Sequence, residues 1–309
     1  MNRSATSNPW TTDGGRRHRR WGRWPVIPVL LLLLGGWGGD SGDDLAVLDA
    51  FDLSKEGGVQ TKLPGALREI SGLAVLPDGR LLSHQDERAV IYEVDPGTGS
   101  ILKAFSAGLN GVRGDFEGIA VAGSRIFLST SSGNLLETVE GEAGSAMQYK
   151  TYELGLQRLC EFEGLAYDPR SNSLLLPCKR TRTRELRDHL VVFVVRLDSM
   201  EPYHVPQVFV PFEALEALDL KDRFRPSAIE VHPETGRLIL VSAQEEAAVE
   251  LSPEGRLLGG ERLHRKTHPQ TEGITFLPDG ALVLADEGQG KKGRLTRYPV
   301  RSTAEEGPP

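Results

Sequence analysis

The 309-residue chain carries 36 Lys and Arg against 43 Asp and Glu, a formal charge of −7, and 39% of its residues are hydrophobic. Six arginines and two aspartates in residues 1–40 leave 30 basic and 41 acidic residues in the remainder; that balance argues against a nucleic-acid partner and leaves room for cations. With 35 glycines, 3 methionines and no long heptad run, many short strands joined by tight turns are expected rather than a helical bundle.

Residues 1–40 read as a signal peptide or membrane anchor. Arg16, Arg17, His18, Arg19, Arg20 and Arg23 precede an apolar run from Pro25 to Trp37 that contains Leu30 to Leu34, the order of charge and apolarity in an export signal. The run is shorter than the roughly 20 residues a spanning helix needs. The following Gly-Gly-Trp-Gly-Gly offers no clear cleavage site, so a cleaved leader and a retained anchor both stay open. No cysteine stands directly after the run, so a lipoprotein anchor is not expected.

Residues 41–303 repeat one pattern, and 304–309 read as a disordered tail. The copies begin Glu69-Ile70-Ser71-Gly72-Leu73, Asp115-Phe116-Glu117-Gly118-Ile119, Glu161-Phe162-Glu163-Gly164-Leu165, Arg225-Pro226-Ser227-Ala228-Ile229 and Gln270-Thr271-Glu272-Gly273-Ile274. Their third residues are 46, 46, 64 and 45 positions apart. Each copy continues into an apolar run, a turn such as Pro77-Asp78-Gly79 or Asp168-Pro169-Arg170, and a second apolar run. Third strands are expected at 90–94, 134–138, 190–196, 247–251 and 294–299. A period near 45 with about four strands per copy predicts an all-β, five-bladed β-propeller. An N-terminal strand is expected to close the last blade, drawn from Leu45-Ala46-Val47-Leu48-Asp49-Ala50-Phe51, so that no sheet edge stays open at the seam. The 18 extra residues of the third copy fall in a basic loop, Lys179 to His189, and in Phe212 to Leu218, whose apolar spacing suits a short surface helix.

Rotation about a propeller axis would turn the third motif position into a ring made of Ser71, Glu117, Glu163, Ser227 and Glu272. Three carboxylates in a narrow channel repel one another unless protonated or neutralised. A divalent cation resolves the conflict, and oxygen-only ligation points to a hard ion such as Ca²⁺, its shell completed by Ser71, Ser227, waters or carbonyls. Glu69, Asp115 and Glu161, two positions earlier, add a second acidic tier that would attract cations or hold a neighbouring metal site. The alternative is structural pairing of the glutamates with Arg68, Arg113 and Arg158 or with backbone amides.

Strand ends supply His84, Gln85 and Asp86, then Gln244, Glu245 and Glu246, then Asp286 and Glu287. They are expected near the same mouth, with His84 a candidate base for a metal-bound water, although such groups are commonly solvated loop tips. Cys160 and Cys178 flank one hairpin; pairing residue 160 with about 181 brings Cys178 diagonally close, and a disulfide and two buried thiols both remain open. Lys179, Arg180, Arg182, Arg184 and Arg187 read as a solvated surface loop, the other option being a dock for an anionic headgroup or polymer. No G-x-S-x-G, H-E-x-x-H, Walker loop, C-x-x-C or EF-hand loop occurs in the chain.

The ordered set EISGL, DFEGI, EFEGL, PSAIE and TEGIT, with Cys160 just before the third copy, resembles the SdiA-regulated, YjiK-like family of bacterial envelope proteins over about residues 65–300. The resemblance implies a five-bladed propeller distantly related to NHL-repeat proteins, an N-terminal membrane segment, and a calcium site at Glu117, Glu163 and Glu272. The chain departs from the family pattern at Arg225-Pro226 and in the long basic insertion. Together these readings lead to an exported or membrane-tethered calcium-binding module of the cell envelope, inner-membrane-anchored, periplasmic or secreted, that takes a small-molecule or envelope ligand and no nucleic acid. The rival is a calcium-dependent hydrolase, an esterase, phosphatase or lactonase, with His84 as base.

Overall fold

Each repeat motif opens the innermost strand of one antiparallel sheet. The computed structural model describes residues 46–218, 220 and 223–301; the predicted leader and the C-terminal tail lie outside them. Blade 1 consists of Ile70–Val75, Leu81–Gln85, Arg88–Val94 and Ile101–Ala107, with Ala146–Met147 added in parallel at its edge. Blade 2 contains Phe116–Ala122, Arg125–Thr130, Leu135–Val139 and Lys150–Tyr152. Blade 3 splits its inner strand into Cys160–Phe162 and Ala166–Asp168, both paired with Ser173–Thr181, and continues through His189–Arg196 to Val208–Pro211. Blade 4 comprises Ala228–Val231, Leu238–Ser242, Ala247–Leu251 and Leu257–Arg262. In blade 5, Thr271–Phe276, Leu282–Asp286 and Arg294–Tyr298 come from the last repeat. The five innermost strands touch one another in a closed cycle.

The packing explains why the second strands are apolar without interruption. A blade has a neighbour on each side, so alternate residues of one strand enter different cores. In blade 4, Leu238 and Leu240 pack towards blade 3, whereas Ile239 and Val241 pack towards blade 5. Five such inter-blade cores follow the chain around the ring. Truncating a residue such as Leu240 to alanine would remove about 2–5 kcal/mol.

An N-terminal segment closes the last blade, but not the one read from apolarity. Residues 47–50 form a 3₁₀ turn, and Val47, Leu48 and Phe51 are buried in the core between blades 4 and 5. The closing strand is Val59–Lys62, paired antiparallel with Arg294–Tyr298 in the register Val59 to Arg297 and Lys62 to Arg294. Its residues are mostly exposed, as suits an outer strand, and therefore carry no apolar signal. The predicted third strands fall within a residue or two of the observed ones, and Phe212–Leu218 forms a 3₁₀ helix whose Leu215 is fully buried.

Cys160 and Cys178 form a disulfide. Cys160 pairs with Thr181 and Phe162 with Cys178, the register shifting between Glu161 and Phe162, so the two cysteines are diagonal neighbours on adjacent strands. The bond closes a short loop around the hairpin that carries both Glu163 and Lys179. By loop entropy it contributes about 2–4 kcal/mol; the Cys160→Ser/Cys178→Ser variant is expected to lose that much in denaturant unfolding, and an unchanged midpoint would contradict the assignment.

Candidate functional site

The motif residues reach the channel because the inner strands bulge where they occur. In blade 2, Phe116 pairs with Thr130 and Gly118 with Ser129, leaving Glu117 as the extra residue. Blade 5 repeats this with Thr271 opposite Asp286, Gly273 opposite Ala285, and Glu272 between them. A bulge re-aims its side chain and twists the strand locally. The next position must be small: a Cβ on Gly118 would stand 2.4 Å from the carbonyl carbon of Gly164. Gly164 has φ of +88° and would place a Cβ 3.0 Å from the Ala228 Cα. Its N–H donates to the Glu117 carbonyl at 2.6 Å, which joins blades 2 and 3 at the axis.

At this mouth Lys179 contacts Glu163, and its charge acts on Glu117 and Glu272 without contact. The Lys179 ammonium donates to Glu163 Oε1 and lies close enough to Glu117 and Glu272 to favour their ionised forms. Glu163, Lys179, Ser227 and Glu272 line one cavity of about 200 Å³ with Arg225 and Gln270. Ser71 reaches Glu117 Oε2 at 3.5 Å. Burial pushes the Glu117 carboxyl up to about 7, helped by the Asp115 charge and opposed by Lys179. Burial pushes Glu272 up to about 8, with Lys179 and a hydrogen bond from Gln270 opposing it. Around this centre lies an acidic rim: burial and Glu69 raise Asp86, while burial, Asp86 and Glu69 raise Glu287.

Lys179 was assigned by sequence to a solvated loop. It instead continues the strand Ser173–Thr181, whose bulged pairing turns it onto Glu163. Among the described residues no ion pair joins Arg68, Arg113 or Arg158 to the ring glutamates: Arg68 pairs with Glu69 at 3.3 Å, and Glu163 takes Lys179. Among the second-tier acids, Asp115 accepts from the Ser131 hydroxyl and Glu161 pairs with Arg180 at 3.4 Å.

Other predicted site residues are committed elsewhere. The Ser227 hydroxyl donates to the Thr271 carbonyl at 2.6 Å and ties blade 4 to blade 5. His84 is fully buried, and burial lowers its imidazole to about 4. A Cβ on Gly72 would meet its Nε2 at 2.7 Å, so His84 is packed beneath the ring and presents no base at the mouth. Gln244 accepts from the Arg225 guanidinium, and Glu245 Oε2 accepts from Arg225 N and the Ser242 hydroxyl. Asp286 is fully buried, hydrogen-bonded to His268 Nδ1 at 2.8 Å, with His268 Nε2 2.6 Å from the Tyr298 hydroxyl. Asp286 also accepts from Thr271 Oγ1 at 3.2 Å. This network holds the start of the strand that carries Glu272. His268 had no repeated signature by which to be found.

The donor chemistry suits a hard divalent cation. Glu117, Glu163 and Glu272 offer only oxygens, and Glu163 Oε2 is buried with no hydrogen-bond partner among the described residues. Three ionised carboxylates and one ammonium leave two negative charges, which one divalent ion balances. The side chains as they stand favour Lys179: among the described residues no three His, Cys, Asp or Glu are gathered as a metal cluster.

The SdiA-regulated family model matches residues 214–306. That match and the five-bladed propeller fit the family resemblance carried by the motifs. Luciferin-regenerating enzyme is similar in structure, with 11% identity, 80% of this chain and 96% of that one covered, and a TM-score of 0.50. Glutaminyl cyclase from Myxococcus xanthus is also similar, at 15% identity, 79% and 96% coverage, and a TM-score of 0.50. At these identities the likeness is one of fold. No match was found among curated protein sequences.

Carboxyls near 7 and 8 in the folded state, against an ordinary 4.5, bind protons that the unfolded chain has already released. Stability in chelator therefore falls as pH rises from about 4.5 to 8 and levels off above that window. Glu272→Gln is expected to flatten the fall and to gain about 1–3 kcal/mol over the native chain at pH 8. A pH-independent difference between the two proteins would contradict the assigned burial.

Proposed function

We propose that the chain is an exported or membrane-tethered propeller of the bacterial envelope that serves as a binding module, with Ca²⁺ held at the acidic mouth by Glu117, Glu163 and Glu272. The observation that carries this reading is the buried Glu163 oxygen without a partner beside the Lys179–Glu163 contact, with Glu117 and Glu272 within range of the Lys179 charge. Lys179 acts as a built-in competitor: it stabilises the ion-free ring and must be displaced by a cation that neutralises more charge. When bound, calcium would supply a fixed positive charge for anionic groups of a small-molecule or envelope ligand. The rim of Asp86 and Glu287 would then select against anions that do not reach the centre.

Export is supported by the basic and apolar leader and by the Cys160–Cys178 disulfide, which suits an oxidising compartment. No helix among the described residues is long and apolar enough to cross a membrane; the tether proposed here is the basic and apolar segment of residues 1–40. The hydrolase alternative draws no support from His84, which is sealed beneath Gly72.

Calorimetric titration of the full-length protein with CaCl₂ tests the reading. Binding with a rise in melting temperature is expected. Glu163→Gln should weaken affinity by about tenfold or more, and Lys179→Met should strengthen it by a similar factor. Identical melting in Ca²⁺ and in chelator, with no heat of binding, would refute it.

A further inference from the structure

The inner strands that begin at the acidic mouth end at a second cavity of different character. Its volume is about 450 Å³, within the usual range for a small-molecule site. The repeat turns form its collar: Pro77, Pro169, Pro233 and Pro278 from four blades, and Gly123 from blade 2. Three residues beyond the ring position the repeat places Ala74, Ala120, Ala166, Glu230 and Thr275, and all five line this cavity. Three alanines leave the space, and Phe276, Leu277 and Val231 give it apolar walls. Glu230 is the only acid in that lining.

The surroundings of Glu230 do not account for its charge. Oε1 accepts from the N–H of Val231 at 2.8 Å and Oε2 from the Thr275 hydroxyl at 2.9 Å, both neutral donors. Among the described residues no lysine or arginine pairs with it. The cations of this end are engaged by other acids: Arg80 with Asp78, Glu93 and Glu140, Arg170 with Asp168, Arg237 with Glu250, and Arg297 with Asp279. Burial raises the carboxyl to about 7. A glutamine could accept the Thr275 hydrogen bond without the cost of desolvating a charge. An acid in an apolar chamber, where three of the five equivalent residues are alanine, is matched by a ligand that brings its own cation and an apolar body.

We infer that this second mouth binds a small hydrophobic ammonium, an alkyl or aryl primary amine whose charged nitrogen meets Glu230 while its hydrocarbon fills the space beneath the proline collar. The inference is independent of calcium at the other mouth. It predicts discrimination between shape-matched molecules that differ only in that nitrogen, because a charge-assisted hydrogen bond shielded from water is much stronger than a neutral one.

Cyclohexylmethylamine and cyclohexylmethanol are the probes, titrated into the full-length protein at pH 8 and followed by NMR. The amine is expected to bind about tenfold or more tightly than the alcohol, with nuclear Overhauser contacts between its ring protons and Phe276. Glu230→Gln should erase the preference while leaving the alcohol's weak binding in place. Equal affinities in the native chain, no binding of either probe at millimolar concentration, an undiminished preference in Glu230→Gln, or contacts confined to the acidic mouth would each overturn the proposal. Should Glu230→Gln not fold, the native preference and the site of the contacts decide the matter.

Discussion

The close approach of the five innermost strands governs what their side chains can be. Gly118 against Gly164, and Gly164 against Ala228, leave no room for a Cβ on either glycine without a shift of backbone, so the polypeptide backbones themselves crowd the axis. Carboxylates attached one position before those contacts cannot move far apart. Their mutual repulsion and loss of water must be offset by a proton, an ammonium or a metal ion. Lys179 and the raised Glu117 and Glu272 carboxyls are two of these responses in one place.

The irregular features of blade 3 have a common consequence at this mouth. Its inner strand is broken between Phe162 and Ala166, its register shifts at Glu161, and its second strand runs on to Thr181. The disulfide fastens that extension to the start of the inner strand, next to the residue that supplies the ammonium. A lysine on a loose loop would lose its rotamer freedom on reaching Glu163; here the covalent link has already restricted the backbone. Blade 5 uses hydrogen bonds for the corresponding task, with Asp286 joining His268 to Thr271 beside Glu272.

What could be read from the residues depended on whether a signal recurred. The motif spacing revealed five blades, because rotation repeats the same environment. The closing strand was misplaced because apolarity marks burial: Val47, Leu48 and Phe51 are buried plugs, while the exposed Val59–Lys62 completes the sheet through its backbone. Lys179 was hidden in a run of basic residues, and only the shifted pairing with Cys160–Phe162 distinguishes it from the solvated arginines that follow. His84 is buried because its ring occupies the space that a Cβ on Gly72 would need. No periodicity announces such a vacancy.

The same repeat makes both ends of the channel, and substitutions at two positions make them different. At the ring position the five blades carry Ser, Glu, Glu, Ser and Glu; three residues later they carry Ala, Ala, Ala, Glu and Thr. One strand length separates a mouth crowded with charge from a chamber with a single acid. The rise of the inner strands keeps those positions at opposite ends, and Ala74, Ala120 and Ala166 also belong to the cores between blades. Glu230 and Thr275 stand on adjacent blades and bond to one another, which makes the second mouth asymmetric despite the symmetric backbone around it. A ligand entering there would meet one polar corner and apolar walls elsewhere, and would thereby be oriented as well as held.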